Sequence, residues 1–397
     1  MQTRANLLGW QVFAMAVTTG VTIANVYYCQ PILSQIRISL SLTDAQIGIL
    51  PTLTQTGVGL GLLLLAPLGD MFDRKKLVIC LELLLAAALI AMTLSQNLTD
   101  LYIASFAIGI FAVAVQIVVP MAASMATPET KGSIVGTVFT GTLIGILASR
   151  IVSGSVTDWF GWRTVYGISA FLAMLTSILV YAVLPTQPGK HNRSYFSLLG
   201  STLQQLGRFA KLRRLSLLGA LIFGAFCSFW TTLTFHLSTA PFSFGSSQIG
   251  RFGVVAIAGA ACAPLFGRLA DRTSPERMQI LTTFVMIVGV LCGRFWPNST
   301  IALVAATLLL DIGVQATQVN NLAQIYKLDE AAHSRINSMF MVIFFLGGAV
   351  GSYCGVWAWS EGGWPLVTAQ LLAFSCAAML LAVFNYGKTK LIPHDRR

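Results

Sequence analysis

Charge is what this sequence has least of. Asp, Glu, Lys and Arg make up 10% of its 397 residues, against roughly a quarter in a soluble domain. With 55% hydrophobic residues and a mean hydropathy of +0.75, that deficit excludes a soluble globular chain and makes lipid the solvent. Acidic residues are scarcer than basic ones, 14 against 25, for a net charge of +11. Such an excess could point to nucleic acid, but here the basic residues cluster in alternate loops, which is the topology signal of a membrane protein. The seven cysteines lie in or at the ends of apolar runs and lack the paired spacing of a zinc site. They read as small core residues. The four histidines are scattered, with only His236 near the end of a run. No nucleophile, base and orienting group come together, which argues against an enzyme. Gly57-x-Gly59-x-Gly61 lies inside an apolar run and follows no strand, so it is no nucleotide loop. Neither cofactor nor metal is expected. No cleavable leader is evident either, and the apolar run from Leu8 reads as a signal anchor.

What is present is a series of about twelve runs, each of the ~20 apolar residues that a spanning helix needs. They fall at 8–29, 45–66, 77–95, 101–123, 134–156 and 163–185, then at 214–239, 248–269, 278–296, 300–322, 336–358 and 365–387. Backbone groups in lipid must be satisfied within the segment, so these runs are helices. Apart from Arg150, inside a run, only Arg37, Arg163, Arg251 and Arg294 depart from one set of alternate loops. That asymmetry predicts both termini in the cytoplasm of a cell with a bacterial-type inner membrane.

The chain also repeats itself. Gln46-Ile47-Gly48 returns as Gln248-Ile249-Gly250, 202 residues on; Asp70 returns as Asp271 after 201; Gly161-Trp162 returns as Gly363-Trp364 after 202. One nearly constant offset implies an all-α membrane protein of two parallel six-helix halves. The expected domains are 1–185, a linker at 186–213, and 214–397. Leu199, Leu203 and Leu206 share a helical face in the linker, followed by Arg208, Lys211, Arg213 and Arg214. It reads either as an amphipathic helix on the inner leaflet or as a solvated connection.

Between the second and third runs lies Ala66 to Val78, A-P-L-G-D-M-F-D-R-K-K-L-V, and its counterpart is Gly267 to Arg277, G-R-L-A-D-R-T-S-P-E-R. These loops resemble the G-x-x-x-D-R-x-G-R-R motif of the major facilitator superfamily. Asp70, Arg74 and Lys75 match the motif in the first copy, and Gly267, Asp271 and Arg272 in the second. Ala66, Met71 and Asp73 depart from it. The resemblance covers essentially the whole chain and points to a twelve-helix bacterial branch similar to drug/proton antiporter-type members. It implies that these loops gate the cycle, with Asp70 as a conformational latch. The stretch Asn25 to Pro31 is also similar to the end of the first helix in a group of bacterial members.

The resemblance further implies that the first, fourth, seventh and tenth helices line a central cavity. Polar faces occur there: Gln11, Thr18, Thr22, Asn25 and Cys29 on the first run, and Thr307, Asp311, Gln315 and Gln318 on the tenth. Gln116 on the fourth and Trp230, Thr231 and Thr234 on the seventh are weaker additions. These faces read either as cavity lining or as interhelical hydrogen bonding. Asp311, a carboxyl near a helix midpoint, is the candidate for proton coupling. Arg150 must face protein or water at its depth; it reads as an anchor for an anionic or carbonyl group of substrate, or as a tie to helix carbonyls or Asp158. Its surroundings, Gly141 and Gly145 with Ile146 and Ser149, depart from the superfamily's antiporter motif G-x-x-x-G-P-x-x-G-G. Glu82 is expected to snorkel toward Lys75 or Lys76. Gly57 and Gly61 are expected to pack against Gly347, Gly351 and Gly355 across the halves.

The reading is a secondary transporter of a small organic solute in the lipid bilayer, working by alternating access. Proton-coupled efflux is the first choice, and uptake or exchange of an organic anion is the alternative. A transporter-like membrane sensor is the rival of another class. A monomer is expected, with protons and a small-molecule substrate as partners and no nucleic acid.

Overall fold

The computed structural model describes residues 8–127, 129–187, 194–255, 273–329 and 332–390. Among these the chain is helical, with no strand. Its long helices are α1 (Gly9–Tyr27), α2 (Ile49–Leu64), α3 (Arg74–Leu94), α4 (Leu98–Phe111), α5 (Val115–Met125), α6 (Lys131–Phe160) and α7 (Trp162–Val183). They continue as α8 (Tyr195–Arg208), α9 (Ala210–Ser238), α10 (Pro275–Phe295), α11 (Thr300–Ile325) and α12 (His333–Lys390). Among the described residues, ten helical stretches are long and apolar enough to cross a membrane. The last of them contains two crossings, because α12 breaks at Gly362 and Gly363. Most of the expected run at 248–269 lies outside the described residues, as do Gly267, Asp271 and Arg272 of the second gating loop.

Side-chain caps set the starts of these helices. Asp73 accepts from the Lys76 amide at the head of α3, Asn97 from Asp100 at α4, and Ser299 from Ala302 at α11. Pro275 takes the first turn of α10 behind its Ser274 cap. The repeat seen in the sequence is a repeat of structure. Gly161 ends α6 at φ 84°, and its counterpart Gly363 breaks α12 at φ 59°, both in the left-handed region that glycine enters without a Cβ clash. The tryptophan that follows is buried in each case: the Trp162 indole donates to Ser39 Oγ at 2.8 Å, and Trp364 to the Gly293 carbonyl at 2.9 Å. Likewise Gln46 Oε1 accepts from the Thr43 amide, and Gln248 Oε1 from the Gly245 amide.

Two compact units emerge. One holds the chain up to Gly200 together with Gly245–Arg251; the other holds Ser201–Phe244 and the chain from Phe252 onward. Within the first, Gly154 and Gly250 bring residues 245–251 against α6: a Cβ on Gly250 would fall 2.4 Å from the Arg150 carbonyl.

Three expectations are corrected here. The first span does not stop at residue 29. Pro31 has no amide hydrogen to continue α1, so the chain passes through a 3-10 turn, Gln30–Ile32, into a further helix, Leu33–Ser39. Helix α9 starts at Ala210, which places Arg213 and Arg214 in its first turns. From there Arg213 donates back to the Gly207 carbonyl at 3.1 Å, capping the end of α8. Finally, the glycines of the second span do not wait for the eleventh. A Cβ on Gly57 or Gly61 would strike backbone of Phe106 and Ile110, so this face is filled by α4. Gly347 and Gly351 meet Ala220 and Gly224 of α9 in the same way.

Candidate functional site

In the first unit, four polar residues of α1, Thr18, Thr19, Thr22 and Asn25, turn inward, while Gln11 is half-buried. Thr18, Thr22 and Asn25 are buried. Thr18 donates to the Ala14 carbonyl at 2.8 Å. Asn25 donates to the Val21 carbonyl at 2.9 Å and accepts from Ser169 of α7 at 2.6 Å. Thr22 meets the carboxyl of Glu82, whose second oxygen lies 3.1 Å from Thr176 Oγ1 of α7. The α1 stripe therefore knits α1 to α3 and α7.

The expected snorkelling of Glu82 is overturned. Its side chain is 0% exposed and forms no ion pair among the described residues. Lys75 instead lies over the Tyr181 ring, 5.2 Å from its centre. The sequence held a signal for this. Val78, Leu81, Leu85 and Leu89 are buried in α3, and Glu82 falls on that face at helical spacing.

Arg150 is 1% exposed on α6. Its Nε donates to Gln30 Oε1 at 2.9 Å, and its guanidinium carbon stands 5.2 Å from the Tyr27 ring centre, a cation–π distance. Asp158, two turns along, accepts from the Ser247 amide at 2.8 Å.

At the loop before α3, Arg74 donates to the Gly69 carbonyl at 2.9 Å and to Asp70 Oδ1 at 3.1 Å. The Arg74 amide donates to the Gln187 carbonyl at 3.1 Å, joining this loop to the end of the first half. Asp70, Arg74 and Lys75 are thus close together where α3 begins.

In the second unit, α11 carries Thr307 and Asp311 buried, with Gln315 and Gln318 half-buried on the continuing face. On α9, Trp230, Thr231 and Thr234 are buried, with Trp230 packed edge-on against Phe226 and Phe229. Gln116 is half-buried on α5. Sequence reasoning passed over a second polar seam, where Gln279 donates to Asn321 at 2.8 Å and Thr282 meets Thr317 at 2.7 Å between α10 and α11. His236 stacks on Trp364 at 4.3 Å and approaches the Pro297 carbonyl at 2.8 Å; it secures the end of α9. No cluster of His, Cys, Asp or Glu could hold a metal among the described residues.

Known proteins share this architecture. A family profile described as Major Facilitator Superfamily matches residues 15–351 and again 242–395. The chain is 35% identical over 350 residues to the Escherichia coli O157:H7 protein named Uncharacterized transporter YgaY, covering 88% of this chain and 89% of that one. It is 25% identical over 365 residues to the Escherichia coli K12 protein named Inner membrane transport protein YnfM, covering 91% and 86%. Among solved structures, peptide transporter POT in complex with sulfate superposes with a TM-score of 0.75 at 14% identity, covering 96% and 94%. Nucleoside transporter NupG gives 0.71 at 14%, covering 95% and 99%.

Proposed function

The chain belongs to the Major Facilitator Superfamily, and from that premise we propose that it is a proton-coupled secondary transporter that exports a small organic solute. Its twelve-helix, two-half fold and its place among multi-pass membrane transporters are those of its relatives. The direction and the coupling are the proposal. The observation that carries it is the face of α11, where a carboxyl, Asp311, sits near mid-helix and 3% exposed, with Gln315 and Gln318 continuing the face at lesser burial. Charge at that depth is costly and is kept where it serves an ion or solute path. A proton and a cationic solute competing for one carboxyl bind in alternation, which is the simplest physical basis of antiport. The engagement of Arg150 with Gln30 and Tyr27 favours this reading over an anion anchored at Arg150. The relatives' names as transporters favour transport over sensing. The protein works as a monomer, with both termini in the cytoplasm.

The test is flux in reconstituted liposomes over a panel of cationic, neutral and anionic solutes, with and without a pH gradient. Acceleration of a cationic solute against an imposed proton gradient is the expected result. Flux indifferent to the gradient across the panel contradicts proton coupling.

A further inference from the structure

The contact of Glu82 with α1 and α7 can be counted in hydrogens. Thr22 Oγ1 lies 2.6 Å from the Thr18 carbonyl and also contacts Glu82 Oε1. Thr176 Oγ1 lies 3.0 Å from the Ala173 carbonyl and 3.1 Å from Glu82 Oε2. Each hydroxyl owns one hydrogen, and a carbonyl can only accept. With an ionised Glu82, two hydrogens must serve four contacts. With a neutral Glu82 there are three: one threonine donates to its own helix carbonyl while accepting from the carboxylic acid, and the other donates to a single acceptor. A buried carboxylate short of donors loses much of what offsets its removal from water.

We infer that Glu82 is a proton-binding site, held as the neutral acid while α1, α3 and α7 are packed as seen here and ionising when that seam opens to water. The step is one proton transfer: the Glu82 O–H bond breaks, water takes the proton, and the carboxylate keeps the electron pair. The hydroxyls of Thr22 and Thr176 are then free to turn toward it as donors. This site lies in the first unit and is separate from Asp311. It rests on the reading of the protein as proton-coupled, and it supplies a second carboxyl that such coupling can use.

Other ionisable groups on the surrounding helices leave Glu82 alone. On α3 they are Cys80 and the cluster Arg74, Lys75 and Lys76; on α7, Arg163, Tyr166 and Tyr181; at the end of α1, Tyr27, Tyr28 and Cys29; on α4, Asp100 and Tyr102. Helix α5 has none. None of them forms a hydrogen bond or ion pair with Glu82.

Infrared spectroscopy of the purified protein in lipid vesicles reads this directly and needs no transported solute. A carbonyl stretch of a hydrogen-bonded carboxylic acid is expected at neutral pH, lost in Glu82→Gln and retained in Asp311→Asn. Thr22→Val and Thr176→Val keep the carboxyl and are expected to shift the band, so the test survives if Glu82→Gln does not fold. A neutral-pH spectrum with no such band, or a band in Asp311→Asn that persists unmoved when Glu82→Gln is added, overturns the site even if flux proves proton-driven. A band that behaves as expected beside flux indifferent to pH upholds the site and removes the proton-coupling reading instead.

Discussion

At the residue scale, the arrangement around Arg150 bears on two proposed uses of one cation. The sequence shows that an arginine inside an apolar run needs a partner, and it offers Asp158 as the nearby carboxylate. It cannot show that Gln30 comes from another helix, because the turn at Pro31 that carries Gln30 into place is a tertiary outcome. The same limit explains Glu82. Its depth in the run is legible, whereas the hydroxyls that receive it stand 60 and 94 residues away. A hydrogen bond to a charged group contributes roughly 1.5–3 kcal/mol. Gln30→Leu is therefore expected to lower stability in a detergent unfolding titration by about 2 kcal/mol, with Arg150 left short of an acceptor. Unchanged stability would show that Gln30 is incidental to Arg150.

At the scale of the element, small residues mark where helices touch without naming what they touch. Gly141 and Gly145 are visible in the sequence as a stripe one turn apart. Their partner is the Ala16–Gly20 stretch of α1, where a Cβ on Gly145 would lie 2.1 Å from the Gly20 carbonyl. In lipid such contact is driven by packing, since the tails are as apolar as leucine. Gly145→Leu is expected to separate α1 from α6 and to give aggregated protein on gel filtration in detergent. Gly136→Leu on the same helix, where a Cβ meets nothing within 4 Å, is expected to stay monodisperse. Equal behaviour of the two variants would contradict the tight α1–α6 contact. Misjudging the partner of Gly57 and Gly61 follows from the same ignorance: periodicity fixes a face, but only the fold chooses the neighbour. The internal repeat was the more informative signal, because positive-φ glycines and buried tryptophans recur for a backbone reason that the letters preserve.

At the scale of the whole molecule, charge in the loops predicts the orientation. Single cysteines placed at the exposed positions Ala45, Gln96 and Asn298, in a cysteine-free background, are expected to react with a membrane-impermeant thiol reagent added to intact cells. A cysteine at Ser197 of α8 is expected to stay protected until the cells are opened. The reverse pattern would place the termini outside. Helix α8 is also where the two sequence readings of the linker meet the structure. It is an amphipathic helix that buries Leu198, Thr202 and Gln205 and exposes Phe196 and Leu203, a face turned from the one that leucine spacing suggested. Polar residues are two of those three buried positions, which a count of leucines misses.

On the proposed function, a carboxyl on α11 lets a proton and a cationic solute take turns. Flux through Asp311→Asn in liposomes, driven by a pH gradient and compared with counterflow of a neutral solute without one, tests it most directly. Gradient-driven flux is expected to be lost while counterflow survives, because the variant is fixed in the neutral form and can still cycle. Full gradient coupling in Asp311→Asn would contradict the claim.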